Sequence, residues 1–158
     1  MRFIYLLTCL LSVSFCSIYS HKDYSFDETY GVVCQCYNKD INKISHKELV
    51  HLLDSVDSTF CKTCIEGGEM FNEIIFNLLL NNTSMLLKTL KQEELSGKNE
   101  KISLIIFEVK QPLADVGVFS EDNICAMIQN VAQTNIRLDC KTEIISSLYE
   151  AMGIIAHL

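Results

Sequence analysis

The residues of this chain whose type and spacing could do chemistry are its 8 cysteines. Cys61 and Cys64 stand three apart as a C-x-x-C pair, and Cys9 and Cys16 lie near the N terminus. Six cysteines then remain for the folded part of the chain. These six are Cys34, Cys36, Cys61, Cys64, Cys125 and Cys140.

Three kinds of site could use these thiols. A redox centre at Cys61 and Cys64 needs a lowered thiol pKa at a helix N terminus and usually a βαβ setting. A zinc site could join Cys34 and Cys36 to that pair, because four thiolates suffice as ligands. An even set of six in an oxidising compartment favours three disulfides instead. We therefore predict structural cross-links, and the sequence alone does not choose their pairing.

Other catalytic arrangements lack support in the sequence. A Cys–His nucleophile needs one unpaired thiol beside an oriented imidazole, whereas six mature cysteines can all pair. His46 and His51 are five residues apart, so they diverge on a helix and are poor joint metal ligands. The chain contains no G-x-S-x-G, Gly-rich phosphate loop or H-E-x-x-H motif. We expect a non-enzymatic protein with no metal and no cofactor.

The first residues indicate the compartment. Arg2 precedes an apolar stretch that runs to about Phe15 and is followed by small residues. This pattern predicts a signal peptide over residues 1–20, cleaved after Cys16 or after Ser20. The stretch is shorter than the roughly 20 apolar residues that span a bilayer. We expect a secreted or lumenal protein.

The charge of the chain excludes one class of partner. Loss of Arg2 with the signal would take the formal net charge from −7 to −8. An acidic protein with scattered lysines repels phosphates, so we expect no nucleic-acid binding. Anionic membranes would be repelled at neutral pH and less so near pH 4 to 5, where carboxylates protonate and histidines become charged.

The cysteines must be positioned by helices. Residues 21–44 lack periodicity and are predicted to form an extended arm tied down by Cys34 and Cys36. Ser45 and Glu48 form a capping box that begins a helix over about 45–59. A second helix follows the C-x-x-C pair, with Asn72 on its polar side. Its apolar face comprises Phe71, Ile74, Ile75, Leu78 and Leu79.

The rest of the chain continues the helical pattern. Asn81 and Asn82 begin overlapping glycosylation sequons after the second helix. A third helix should end near Gly97, and the apolar run 102–109 is interpreted as a short buried helix. Ser120 caps the next helix, and a last one follows Asp139. The prediction is an all-α, disulfide-stapled bundle of five to six amphipathic helices over residues 45–158.

The segment from Phe60 to Cys140 resembles the saposin B-type family. The resemblance rests on the C-x-x-C pair heading an amphipathic helix, the Asn81 sequon after it, and the stretch Glu121-Asp122-Asn123-Ile124-Cys125. It implies a helical bundle, clamped by disulfides, that opens like a clasp to bind lipids. It also implies that Cys61 pairs with Cys140 and Cys64 with Cys125. The family's central cysteine pair is absent, and Cys34 and Cys36 have no counterpart.

Two functions from different classes follow. The first is a secreted, non-catalytic protein that binds lipid or a membrane surface, more strongly at acidic pH, through the apolar face of the second helix. The second is an extracellular factor whose closed bundle binds a protein partner through the N-terminal arm.

Overall fold

The computed structural model describes residues 24–111 and 120–155, so the predicted signal peptide lies outside the described residues. These ranges contain eight α-helices, one short 3-10 helix at Ile41–Lys43 and no strand. The all-α prediction is confirmed, but the helices outnumber the five to six expected. They are α1 (Phe26–Tyr37), α2 (His46–Ser55), α3 (Ser58–Thr63), α4 (Ile65–Asn81), α5 (Thr83–Leu95), α6 (Asn99–Lys110), α7 (Glu121–Gln133) and α8 (Lys141–Ile155).

Helix α1 occupies the segment that was predicted to be an extended arm, so that prediction is wrong for residues 26–37. The Ser25 hydroxyl accepts a hydrogen bond from the Glu28 amide at 3.3 Å, and the Ser25 amide donates to the Glu28 carboxylate at 2.9 Å. This capping box satisfies two amides that would otherwise lack partners at the helix start. Val33 and Cys36 then bury the inner face of α1 in the core.

Helix α1 packs alongside α4, and the two helices run parallel. Partners on the two helices are a constant 36 residues apart in the chain, as parallel packing requires. Parallel packing with this register places Cys34 beside the middle of α4 and leaves Cys64 before its first turn. The contacting pairs are Tyr30 with Glu66, Cys34 with Met70, and Tyr37 with Glu73.

The helix predicted over residues 45–59 is two helices. The capping box is confirmed, because the Ser45 amide donates to Glu48 at 2.8 Å and the Ser45 hydroxyl accepts from the Glu48 amide at 3.3 Å. Helix α2 nevertheless ends at Ser55, since the Asp57 carboxylate accepts from the Phe60 amide at 2.7 Å and begins α3. Local capping therefore interrupts a continuous apolar stripe.

Helix α4 lies at the centre of the bundle and contacts α1, α3, α5, α6 and α7. The helices at the two ends of the chain close the outside, since α1 also packs on α2, while α8 packs on α6 and α7. No helix within residues 24–111 and 120–155 is long and apolar enough to cross a membrane.

The later helices follow the sequence signals closely. Gly97 adopts a φ of 76°, a left-handed conformation that ends α5 and that glycine adopts without strain. The apolar run 102–109 is confirmed as helical, within α6. The Ser120 hydroxyl accepts from the Asn123 amide at 3.2 Å and caps α7, as predicted.

Two glycines allow α3 and α4 to meet at a sharp corner. A Cβ on Gly68 would lie 2.9 Å from the backbone oxygen of Cys61, and one on Gly67 would lie 2.6 Å from the Phe60 ring. Glycine is therefore needed at both positions. The C-x-x-C pair spans this corner, because Cys61 lies in α3 and Cys64 lies between α3 and α4.

We predict that Gly68→Ala destabilises the protein by about 1 to 3 kcal/mol, because the new methyl group meets backbone that must shift. Gly31→Ala is the matched control, since a Cβ there meets nothing within 4 Å and Gly31 lies within α1. It should stabilise the protein by about 0.5 to 1 kcal/mol. Urea unfolding followed by circular dichroism measures both, and equal effects of the two substitutions would contradict the corner geometry.

Candidate functional site

The five residues predicted to bind lipid form the centre of the core. Ile74 is 2 % exposed and the other four are 0 % exposed. The closed bundle therefore offers none of this face to a ligand, and any lipid would reach it only if helices separate. The five are Phe71, Ile74, Ile75, Leu78 and Leu79.

A buried polar cluster lies between α4 and α6 beside this face. The Asn72 amide nitrogen donates to the Glu108 backbone oxygen at 2.9 Å and to the Glu108 carboxylate at 3.1 Å. The Cys61 thiol also hydrogen-bonds this carboxylate. Asn72 was predicted on the polar side of its helix, but it is 1 % exposed and its side-chain oxygen has no hydrogen-bond partner.

The Glu108 carboxyl is unusual because it is ionisable and only 6 % exposed. Burial raises its pKa above the ordinary value, and the hydrogen bonds from Asn72 and Cys61 only partly oppose that effect. A protonated Glu108 could donate to the vacant Asn72 oxygen, whereas a charged one cannot. The protonated form therefore suits the closed bundle better.

The environments of Cys36, Cys61 and Cys140 are those of inert cysteines. Burial, and then the neighbouring Glu108 carboxylate, raise the pKa of Cys61. Burial, followed by Glu94, raises the pKa of Cys140 to about 11, and burial raises that of Cys36. A reactive or redox thiol needs a lowered pKa, so at Cys61 the environment acts against the redox interpretation of the C-x-x-C pair.

The six cysteines are unbridged in the structure, so the disulfide staples are not confirmed, and neither pairing implied by the family resemblance is formed. Cys34 on α1 lies 3.9 Å from the Met70 sulfur, and Cys125 on α7 lies 3.9 Å from the Met152 sulfur. Each of these two thiols thus has a methionine sulfur as its recorded sulfur neighbour.

Within the described ranges, no group of three or more His, Cys, Asp and Glu residues could hold a metal ion. The four thiolates considered for zinc, those of Cys34, Cys36, Cys61 and Cys64, accordingly form no such group.

The two sequons lie at the junction between α4 and α5. Asn81 is exposed as the last residue of α4, while Asn82 is half-buried. The Thr83 hydroxyl is buried and donates to the Leu79 oxygen at 2.5 Å. Asn81 is therefore the more accessible of the two predicted glycosylation sites in the folded protein.

Comparisons with known proteins give the chain no relatives. No protein-family model matches it, and neither curated proteins nor solved structures yield a match. The class that the structure defines is an all-helical protein with a polar cluster buried beside its central helix.

Only weak sequence signals point to that cluster. Glu108 stands inside the apolar run 102–109, and an acid within such a run indicates a buried carboxyl. Asn72 carried no such signal, because its helical position fits a solvated face equally well. Only the packing of α6 against α4 decides that both residues are buried together.

We predict that Glu108→Gln raises the free energy of unfolding by about 1 kcal/mol at pH 7.5, because a neutral amide avoids the buried charge and can donate to Asn72. The effect should nearly vanish at pH 4.5. A pKa raised on folding means that the folded protein holds this proton more tightly, so the wild type loses stability as pH rises from about 4.5 through the raised value. Urea unfolding at both pH values measures the difference, and an equal gain at both would contradict the assignment.

We also predict an order of thiol reactivity in the mature protein. Cys125, the one exposed thiol of the six, should react first with a thiol reagent, whereas the buried Cys36 and Cys140 should react only on unfolding. Cys125→Ser should remove the fast phase in a stopped-flow assay. Protein that shows no free thiol even in denaturant would restore the prediction of three disulfides.

Proposed function

We propose that this chain is a secreted, non-catalytic protein that binds lipid by opening its helical bundle in the manner of saposin-like proteins. The observation that carries the proposal is the complete burial of the apolar face of α4. That face is a continuous apolar surface that could accept acyl chains, and it becomes available only when helices separate. Each methylene buried against it would contribute about 0.8 kcal/mol.

The boundary between α4 and α6 is where opening would cost least. Most helix pairs in the core adhere through apolar contacts, whereas this boundary contains the Glu108 carboxyl and an unpartnered Asn72 oxygen. Buried polar groups without full pairing cost free energy that exposure to water returns. Separation of α4 from α6 would therefore hydrate these groups while it exposes the apolar face.

The proposed opening does not require the disulfide clamp of the saposin-like proteins. The cysteines are unbridged, and hydrophobic packing of α4 is sufficient to account for a closed bundle. The secreted protein would open like a clasp and bind lipid without a cofactor.

The alternative function is recognition of a protein partner by the closed bundle. The N-terminal arm was expected to bind that partner, but residues 26–37 form helix α1 instead. The N-terminal segment contributes Val33 and Cys36 to the core, so its deletion would unfold the bundle instead of removing a separate arm. The large exposed apolar residues are distributed over five helices, and single ones of this kind are ordinary on protein surfaces. These residues are Phe26, Tyr37, Ile65, Leu95, Phe107 and Tyr149.

We predict that the mature protein binds vesicles that contain phosphatidylserine more tightly at pH 4.5 than at pH 7. The formal net charge of −8 expected for the mature chain repels anionic headgroups at neutral pH, and protonation of many carboxylates removes most of that repulsion. Protonation of Glu108 acts in the opposite direction by favouring the closed bundle, but it is one group among 20 acids. Flotation of fluorescently labelled vesicles measures binding, and no binding at either pH would remove the proposed function.

A pair of matched variants separates opening from adsorption to the surface. Glu108→Gln and Glu150→Gln remove the same charge, but Glu150 lies on the surface, 3.5 Å from Lys110. On uncharged phosphatidylcholine vesicles at pH 7, Glu108→Gln should weaken binding about fivefold relative to Glu150→Gln, because a closed state stabilised by about 1 kcal/mol leaves fewer open molecules. Equal binding of the two variants would contradict an opening step.

A further inference from the structure

A cavity of about 570 Å³ lies away from the core face of α4, at the corner between the end of α2, the start of α3 and one side of α6. Its volume falls in the range of small-molecule sites, which is about 300 to 1,000 Å³. Because the closed bundle already contains this cavity, its use does not rest on the proposed opening.

A buried lysine lines the cavity without an acidic partner. Lys101 is only 5 % exposed, and its ammonium nitrogen lies 3.5 Å from the backbone oxygens of Asp54 and Val56. These long contacts go to carbonyls left free at the end of α2. No carboxylate of the described residues lies within salt-bridge distance of Lys101, although a buried ammonium group is stable only when it is paired.

The two aspartates that line the cavity, Asp54 and Asp57, are already engaged elsewhere. The Asp54 carboxylate binds the Lys98 ammonium group at 3.0 Å, and the Asp57 carboxylate caps α3 through the Phe60 amide at 2.7 Å. Glu100 also lines the cavity, but it is exposed to solvent. The cavity thus provides a cation in its interior and places acids at its margin.

The remaining lining is apolar beside the lysine. Val56 and Leu104 are buried and form the inner wall, and Phe107 is 41 % exposed towards solvent. A ligand that fits this arrangement has one anionic group for Lys101 and an apolar chain for the wall. Lys62 also lines the cavity, but it is exposed to solvent. A dianionic phosphate fits less well, because Lys101 is the one buried cation among the lining residues and the lining acids would repel the second charge.

We propose that this cavity binds a medium-chain fatty carboxylate, with the carboxylate on Lys101 and the chain against Val56, Leu104 and Phe107. A carboxylate would accept the third ammonium proton, for which the structure records no acceptor among the described residues. Binding would also replace water on the exposed part of Phe107 with the chain.

Titration calorimetry of the mature protein with sodium decanoate, below its micelle concentration, tests this proposal. We expect one decanoate per chain, and decanol should bind more weakly because it lacks the charge. Lys101→Met keeps the stem of the side chain and removes the cation, so it should weaken decanoate binding about tenfold or more and leave decanol unchanged. Lys110→Met on the same helix is the matched control and should bind as the wild type does.

Two further variants keep the test decisive if Lys101→Met fails to fold. Ser103→Trp changes an exposed residue that lines the cavity, so it should fill the space and abolish binding of both ligands while helix content stays normal. Lys101→Arg retains a cation and should retain decanoate binding. Absence of decanoate binding by the wild type, equal losses in Lys101→Met and Lys110→Met, or full binding by Ser103→Trp would overturn the proposal. Each of these results is independent of vesicle binding, so this proposal and the proposed function fail separately.

Discussion

Helix α4 is enclosed by five neighbouring helices, and the apolar side chains on its inner face are almost completely withdrawn from water. Full burial of a side chain such as Phe71 or Leu78 stabilises a protein by about 1.5 to 3 kcal/mol. The packing of α1 and α3 on α4 depends on this enclosure. The α3–α4 corner must be free of side chains so that α3 can approach, and α1 must run parallel to α4 for its inner face to be buried.

The same enclosure explains the polar cluster between α4 and α6. When α6 packs on α4 it takes Glu108 and Asn72 out of water together, and each then depends on the other for hydrogen bonds. The Asn72 oxygen remains without a partner, so this boundary is incompletely satisfied in its hydrogen bonds. A bundle that contains one such boundary has a preferred place to separate, and the proposed lipid function uses that property.

The closed and the open bundle offer different surfaces to a ligand. The closed bundle presents a small cavity where Lys101 lies beside an apolar wall, and the proposed open form presents the long apolar face of α4. A single fatty chain suits the first surface and a membrane suits the second. The two proposals therefore concern lipids of related chemistry but depend on different parts of the fold.

The sequence by itself determined where α2 and α7 begin and where α5 ends. The Ser45 and Ser120 caps, Gly97 and the apolar face of α4 act within a few residues, so they can be recognised without the fold. The Ser25 capping box is equally local, although an extended arm was predicted there. Only the tertiary structure decided that Asn72 and Glu108 are buried together, that Lys101 lines a cavity and that three thiols contact Glu108 or a methionine. These three are Cys61, Cys34 and Cys125. Burial and pairing of side chains depend on contacts between residues far apart in the chain. Helical periodicity predicts which residues share one face of a helix, but not which helix faces pack together.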